Sequence, residues 1–182
     1  EDMLRPVVDE VCALLGDVVY GVDVASLEAA CSALLRQKGM TLSSAESCTG
    51  GQIAQRMTAL AGASPVYRGY WTDMKADVLG VSREILDQYG AVSEQTARAM
   101  AQGARRITGA DVAVSVTGVA GPDPDERGNG VGLVFIGLDT PEGTFCRRCD
   151  FGQRRRDRIQ ELAANHAFDL LRRYLSGAPL TR

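Results

Sequence analysis

The residues best suited to chemistry lie close together in TLSSAESCTGGQIAQRM, residues 41–57, where Ser43, Ser44, Glu46, Ser47, Cys48 and Thr49 directly precede Gly50-Gly51. The stretch reads as a strand running straight into a helix. The first N–H groups of a helix have no partner within it and carry the positive end of its dipole. Gly50 and Gly51 therefore mark a place that favours a phosphate or a developing oxyanion. Ser47 and Thr49 add hydroxyl donors there, or Ser47 is itself a nucleophile. The plainer alternative is a well-capped helix, since Ser and Thr are ordinary caps.

A second hydroxyl stands at Ser64 in AGASPVYRGYWTDMK, with Lys75 eleven residues later. A serine becomes a usable nucleophile when a neighbouring base accepts its proton, and a neutral lysine can be that base. Otherwise Ser64 caps a turn before Pro65 and Lys75 is a solvated charge. In SVTGVAGPD, residues 115–123, a strand ends in glycine-rich chain. Ligands of open α/β sheets sit beyond the carboxyl ends of the strands, so Ser115 or Thr117 faces the same crevice as Ser47. Arg154 follows Gly152 in FGQRRRDRI and has the fork geometry that clamps a phosphate. The basic run 154–158 is otherwise a solvated helix start.

Other chemistries are poorly supplied. The chain has one histidine, His166, in register with the apolar positions of a closing helix, so a His-rich metal site is excluded. The CRRC of residues 146–149 has redox spacing but sits in a strand-like run, where positions i and i+3 face opposite sides. Two thiols are also too few for a closed zinc site. No metal and no cofactor is called for. Five cysteines without a scaffold spacing favour a reduced, cytoplasmic setting.

The elements that must position these residues follow from the pattern. Helical spacing covers 3–15, and GDVVYGVD reads as a short strand. A helix over 26–38 stops at Gly39. After the strand and helix of 41–62 comes a strand in SPVYRGYW, then helical pieces in TDMKADVLGV, SREILDQYG and SEQTARAMAQGARRITG. DVAVSVTGVAG is apolar and β-branched, as a buried parallel strand is. GVGLVFIGLD and GTFCRRCDF pair, and residues 154–175 close the chain as a helix. Strand–helix alternation with a late strand pair predicts a three-layer α/β/α sandwich with a mixed sheet, preceded by a short connector. With 45% hydrophobic and 24% charged residues the composition is that of an ordinary α/β protein. A net charge of −3 gives no reason to expect nucleic acid or an anionic membrane. The amino end, Glu1-Asp2, has neither an initiator methionine nor a signal-peptide pattern.

The segments AESCTGG, GASPVYRG, a lysine ahead of LGV, YGAVSE, SVTGVAGPD, GVGLVFIGL and FGQRRRDRI occur in one order. In that order they resemble the C-terminal domain of competence/damage-inducible protein A. The likeness covers residues 40–175. Residues 1–24 resemble the connector that precedes this domain in two-domain members, leaving 25–182 as the domain itself and the N-terminal domain as an implied partner.

The resemblance implies hydrolysis of the carboxamide of nicotinamide mononucleotide to nicotinate mononucleotide and ammonia, in a homo-oligomer. It implies Ser64, Ser47 and Lys75 as catalytic residues, with Lys75 the base for a serine nucleophile, Ser64 slightly ahead of Ser47. Thr49, Gly50, Gly51, Thr117 and Arg154 become the substrate-binding set, with Arg154 and the Gly50-Gly51 helix start on the phosphate. One departure stands out. Gly69 and Lys75 are only six apart, and the tyrosine that relatives carry between strand and lysine has no counterpart. That keeps a second reading open: a degenerate nucleotide-binding or structural domain supporting an N-terminal ADP-ribose pyrophosphatase domain.

Overall fold

The computed structural model describes residues 3–72 and 75–180, with no account of the side chains of 70–72. Its centre is a five-stranded sheet of β1 (Leu42–Glu46), β2 (Tyr67–Thr72), β3 (Val112–Gly118), β4 (Leu133–Thr140) and β5 (Gly143–Asp150). The strand order is β2-β1-β3-β4-β5. β2, β1 and β3 run parallel, whereas β4 and β5 are antiparallel. All five residues of β1 are buried, as a central strand covered on both faces must be.

Helices cover both faces, which makes the three layers. On one side α2 (Leu27–Lys38), α3 (Gln52–Thr58) and α6 (Arg156–Ser176) pack together, and α6 lies over β3 and β4. The core there includes Leu35, Leu42, Ile53, Met57, Ile136 and Phe168. On the other side α5 (Glu94–Thr108) crosses the sheet with α4 (Arg83–Tyr89) beside it. A Cβ at Gly103 of α5 would collide with the Leu79 backbone, so glycine lets the segment after β2 cross this helix closely. Ser26, Ser82 and Ser93 accept from the N–H three residues on, capping α2, α4 and α5. Gly39 ends α2 in the left-handed conformation, as read from the sequence.

Two expected elements are absent from the described residues. GDVVYGVD, expected as a strand, is a short 3₁₀ turn at Gly16–Val18 followed by irregular chain. Val18, Tyr20 and Val22 stand exposed beside no partner strand, and a β-branched run alone cannot satisfy a ladder. The stretch 75–81, expected to be helical, is turns closed by Val81 N–H on the Lys75 carbonyl at 2.9 Å. The leading helix α1 (Arg5–Leu15) buries none of its residues. The turn after it is tied to α6 through Asp17, which accepts from fully buried Arg173 at 2.6 Å. Among the described residues no helix is long and apolar enough to cross a membrane.

Candidate active site

Ser47 follows the carboxyl end of β1, and its N–H extends the ladder to the Val116 carbonyl of β3 at 3.0 Å. The chain then closes a turn, Gly50 N–H on Ser47 C=O at 3.1 Å, before α3 begins. Gly50 and Gly51 have φ of 63° and 94°, a region that costs a side chain and so calls for glycine. Lys75 follows the carboxyl end of the neighbouring strand β2. Its Nζ lies 3.2 Å from Ser47 Oγ and donates to it. Both side chains are partly buried.

Ser64 is elsewhere. Leu42 N–H bonds the Val66 carbonyl, and Leu42 pairs with Tyr67 while Glu46 pairs with Thr72. Ser64 therefore precedes the amino end of β2, while Ser47 and Lys75 follow carboxyl ends. A strand of this length separates them by roughly 16 Å, well beyond a lysine's reach. Ser64 is exposed and lines a separate surface depression with Thr58, Gly62 and Tyr67. The expected pairing of Lys75 with Ser64 is thus replaced by a pairing with Ser47.

Glu46 explains why so many hydroxyls gather here. Its carboxylate is fully buried and points under the turn. It accepts from Thr49 Oγ1 at 2.8 Å, Ile53 N–H at 3.0 Å, Ala54 N–H at 2.9 Å and Ser44 Oγ at 3.3 Å. Ser44 also meets Tyr67 Oη at 2.6 Å. The Ile53 and Ala54 N–H groups that open α3 are thus taken by this carboxylate, which leaves fewer donors at the Gly50-Gly51 helix start for the expected phosphate. Thr49, 1% exposed, turns its hydroxyl inward to Glu46 rather than toward a ligand. Thr117 and Ser115 are equally buried and donate to the carbonyls of Ala91 and Ala97, which fixes α5 and the loop before it to β3.

The start of α6 forms another wall. Gln160 Nε2 donates to the Cys48 carbonyl at 2.9 Å. Arg156, one turn earlier on the same face, donates to the Gly121 carbonyl at 2.8 Å in the loop after β3. Burial pushes the Cys48 thiol up to about 12, against the weaker opposing pull of Lys75 and Arg156. Arg154 precedes α6, is exposed, and donates to Phe151 C=O. The sequence assigns no role of their own to Glu46, Arg156 and Gln160. Only the i, i+4 spacing of Arg156 and Gln160 hinted that the two share a face.

The CRRC thiols behave as strand residues. Burial pushes Cys146 up to about 12 and Cys149 to about 11, and both are free. Cys149 lies 3.6 Å from His166 Nδ1 beneath α6, whereas Cys146 feels Glu94 and Arg98 of α5, so they occupy opposite faces. Residues 73 and 74, in the stretch that is short relative to the family pattern, lie outside the described residues.

Residues 24–175 match the family model described as the CinA C-terminal domain. The chain belongs to this family. Its similarity to CinA-like proteins runs through nearly the whole chain. It is 44% identical over 186 residues to one from Desulfovibrio desulfuricans, with 99% of this chain and 44% of the relative covered. It is 42% identical over 178 residues to one from Shewanella amazonensis, with 96% and 42% covered. The chain thus spans less than half the length of these curated relatives. A competence/damage-inducible protein from Agrobacterium tumefaciens superposes with a TM-score of 0.79 at 34% identity, covering 87% of this chain and 98% of that one. A competence or damage-inducible protein from Enterobacter asburiae gives 0.80 at 29% identity, with 85% and 99% covered. The mixed five-stranded sheet between helical layers is therefore the CinA fold.

Proposed function

We propose that this domain hydrolyses the carboxamide of nicotinamide mononucleotide, with Ser47 as nucleophile and Lys75 as its base. The observation that carries the reading is the 3.2 Å separation of Lys75 Nζ from Ser47 Oγ at the carboxyl edge of the sheet. Lys75 in its neutral form takes the Ser47 proton as Oγ bonds to the carboxamide carbon. The carbonyl electrons move onto oxygen, and nearby donors stabilise that charge. The lysine ammonium then gives its proton to the departing nitrogen, and ammonia leaves an ester on Ser47. Water, deprotonated by Lys75, cleaves the ester to nicotinate mononucleotide. The nucleotide phosphate suits Arg156, which reaches the loop after β3 and stands one helical turn before Gln160. The family resemblance supports the choice of substrate, and the dyad supports the reaction class.

The test is ammonia release from nicotinamide mononucleotide by the protein and by its Ser47→Ala variant. Release that depends on Ser47 supports the reading. No release, together with a Tm raised by the nucleotide, would instead make the domain a nucleotide-binding module.

A further inference from the structure

We infer that Gln160, on the closing helix, is a positioning residue that aims the peptide following Ser47 at the oxyanion; this rests on Ser47 being the nucleophile. The turn closed by Gly50 N–H on Ser47 C=O makes Cys48–Thr49 its central peptide. Cys48 and Thr49 are buried, at 6% and 1% exposure. Among the described groups the Thr49 N–H meets no protein acceptor, while the Cys48 N–H faces its own residue's sulfur. Buried N–H groups are nearly always paired, so an open Thr49 donor two residues after the attacking one fits a developing negative charge.

What holds that peptide is distant in sequence. Gln160 Nε2 donates to the Cys48 carbonyl at 2.9 Å, and a Cβ on Gly50 would stand 3.5 Å from the same nitrogen. Across a planar trans peptide, the carbonyl and the following N–H point in opposite directions. Fixing Cys48 C=O against α6 therefore fixes Thr49 N–H away from α6. The central peptide of a turn otherwise has two orientations, which distinguish type I from type II turns. Thr49 keeps a negative φ, since among the described non-glycine residues only Asp23 has a positive one. Gln160 adds a hydrogen bond to that preference and removes the remaining tilt of the donor. Glu46 supports the turn from beneath through Thr49 Oγ1, so the donor peptide is held from two sides.

Gln160→Met keeps the length of the side chain and loses the donor. Removing an oxyanion donor outright lowers kcat by about 10² to 10³; losing its support should lower kcat by about 10-fold to 100-fold. KM and Tm should stay near the wild-type values, because neither ground-state binding nor the core depends on this bond. A fluorophosphonate probe gives a readout free of the substrate assignment, since attack on phosphorus also gathers charge on an oxygen. Ser47 in Gln160→Met, and in Gln160→Ala as a second variant, should be labelled at least about 10-fold more slowly than in the wild type. Slow labelling in a protein that releases no ammonia would uphold Gln160 and remove only the mononucleotide. Labelling and kcat within about twofold of wild type, or a loss confined to KM, would overturn the inference. A wild-type Ser47 that takes no label would overturn it too.

Discussion

Lys75 Nζ and Ser47 Oγ meet at 3.2 Å because β1 and β2 are adjacent parallel strands, and each residue follows the carboxyl end of its own strand. The pair is local in space and 28 residues apart in sequence. A lysine can give up its proton to act as base, whereas a guanidinium stays charged. Lys75→Arg should therefore keep the fold and the positive charge and lose at least about 10³ in kcat, in the range of other activated-nucleophile losses. Ammonia release measured beside Tm checks this, and an active arginine variant would remove the dyad.

The two serines separate cleanly. Ser47→Ala should form no acyl-enzyme by intact-mass spectrometry and should release no ammonia. Ser64→Ala should stay within about twofold of wild type, as expected for an exposed surface position. Loss of acylation in Ser64→Ala alone would mean that the loop before β2 reaches the site in solution.

The sequence made the strand–turn–helix at Ser47 legible, along with the caps at Ser26, Ser82 and Ser93 and the opposed faces of Cys146 and Cys149. It misled on the serine because eleven residues of separation looked closer than 28. Parallel pairing reverses that order by placing Ser64 before an amino end. Glu46 was visible as a carboxylate among hydroxyls, yet its inward aim depends on both faces of β1 being covered. Gln160 meets the turn, and Arg156 the loop after β3, only through the packing of α6, which local spacing does not encode.

Two arginines compete for the phosphate. Arg156 faces the loop after β3 and acts electrostatically on Cys48, while Arg154 bonds its own loop at Phe151. Arg156→Ala should raise KM for the mononucleotide at least about 10-fold with kcat nearly unchanged, the signature of lost uniform binding. The phosphate-free riboside should be nearly indifferent to it. Arg154→Ala should change neither substrate by more than about twofold. If Arg154 instead produces the larger, phosphate-dependent effect, the assignment returns to the residue nearer the glycine.

Glu46→Gln tests the support beneath the turn. One carboxylate oxygen becomes an NH₂ group facing N–H and O–H donors, leaving at least one buried donor unsatisfied at about 1–3 kcal/mol. For a chain of this size each kcal/mol moves Tm by about 2–4 °C, so a drop of roughly 3–10 °C is expected. Since Ser47 is the next residue, kcat should fall as well. An unchanged Tm would mean that the carboxylate is replaceable and the turn holds itself.

Asp169 gives the fold an acid limit. Burial pushes its carboxyl up, but hydrogen bonds from Arg172, Arg147 and Arg173 outweigh that and hold it at about 2. The contacts are 2.8 Å to Arg172, 2.9 Å to Arg147 and 2.9 Å to Arg173, which is 1% exposed. A folded-state value below the unfolded value of about 3.9 means the unfolded chain binds the proton more readily. The stabilisation is therefore complete above about pH 4 and vanishes as pH falls through about 2. Protonation leaves three guanidiniums facing a neutral group, with buried Arg173 relying on Asp17 alone among these carboxylates. Asp169→Asn should be less stable than wild type at pH 7, by about 2 kcal/mol or more for lost charge-assisted bonds. The gap between their urea midpoints should narrow steadily from pH 5 to pH 2. A gap that stays constant over that range would show that Asp169 stabilises α6 by packing and not by charge.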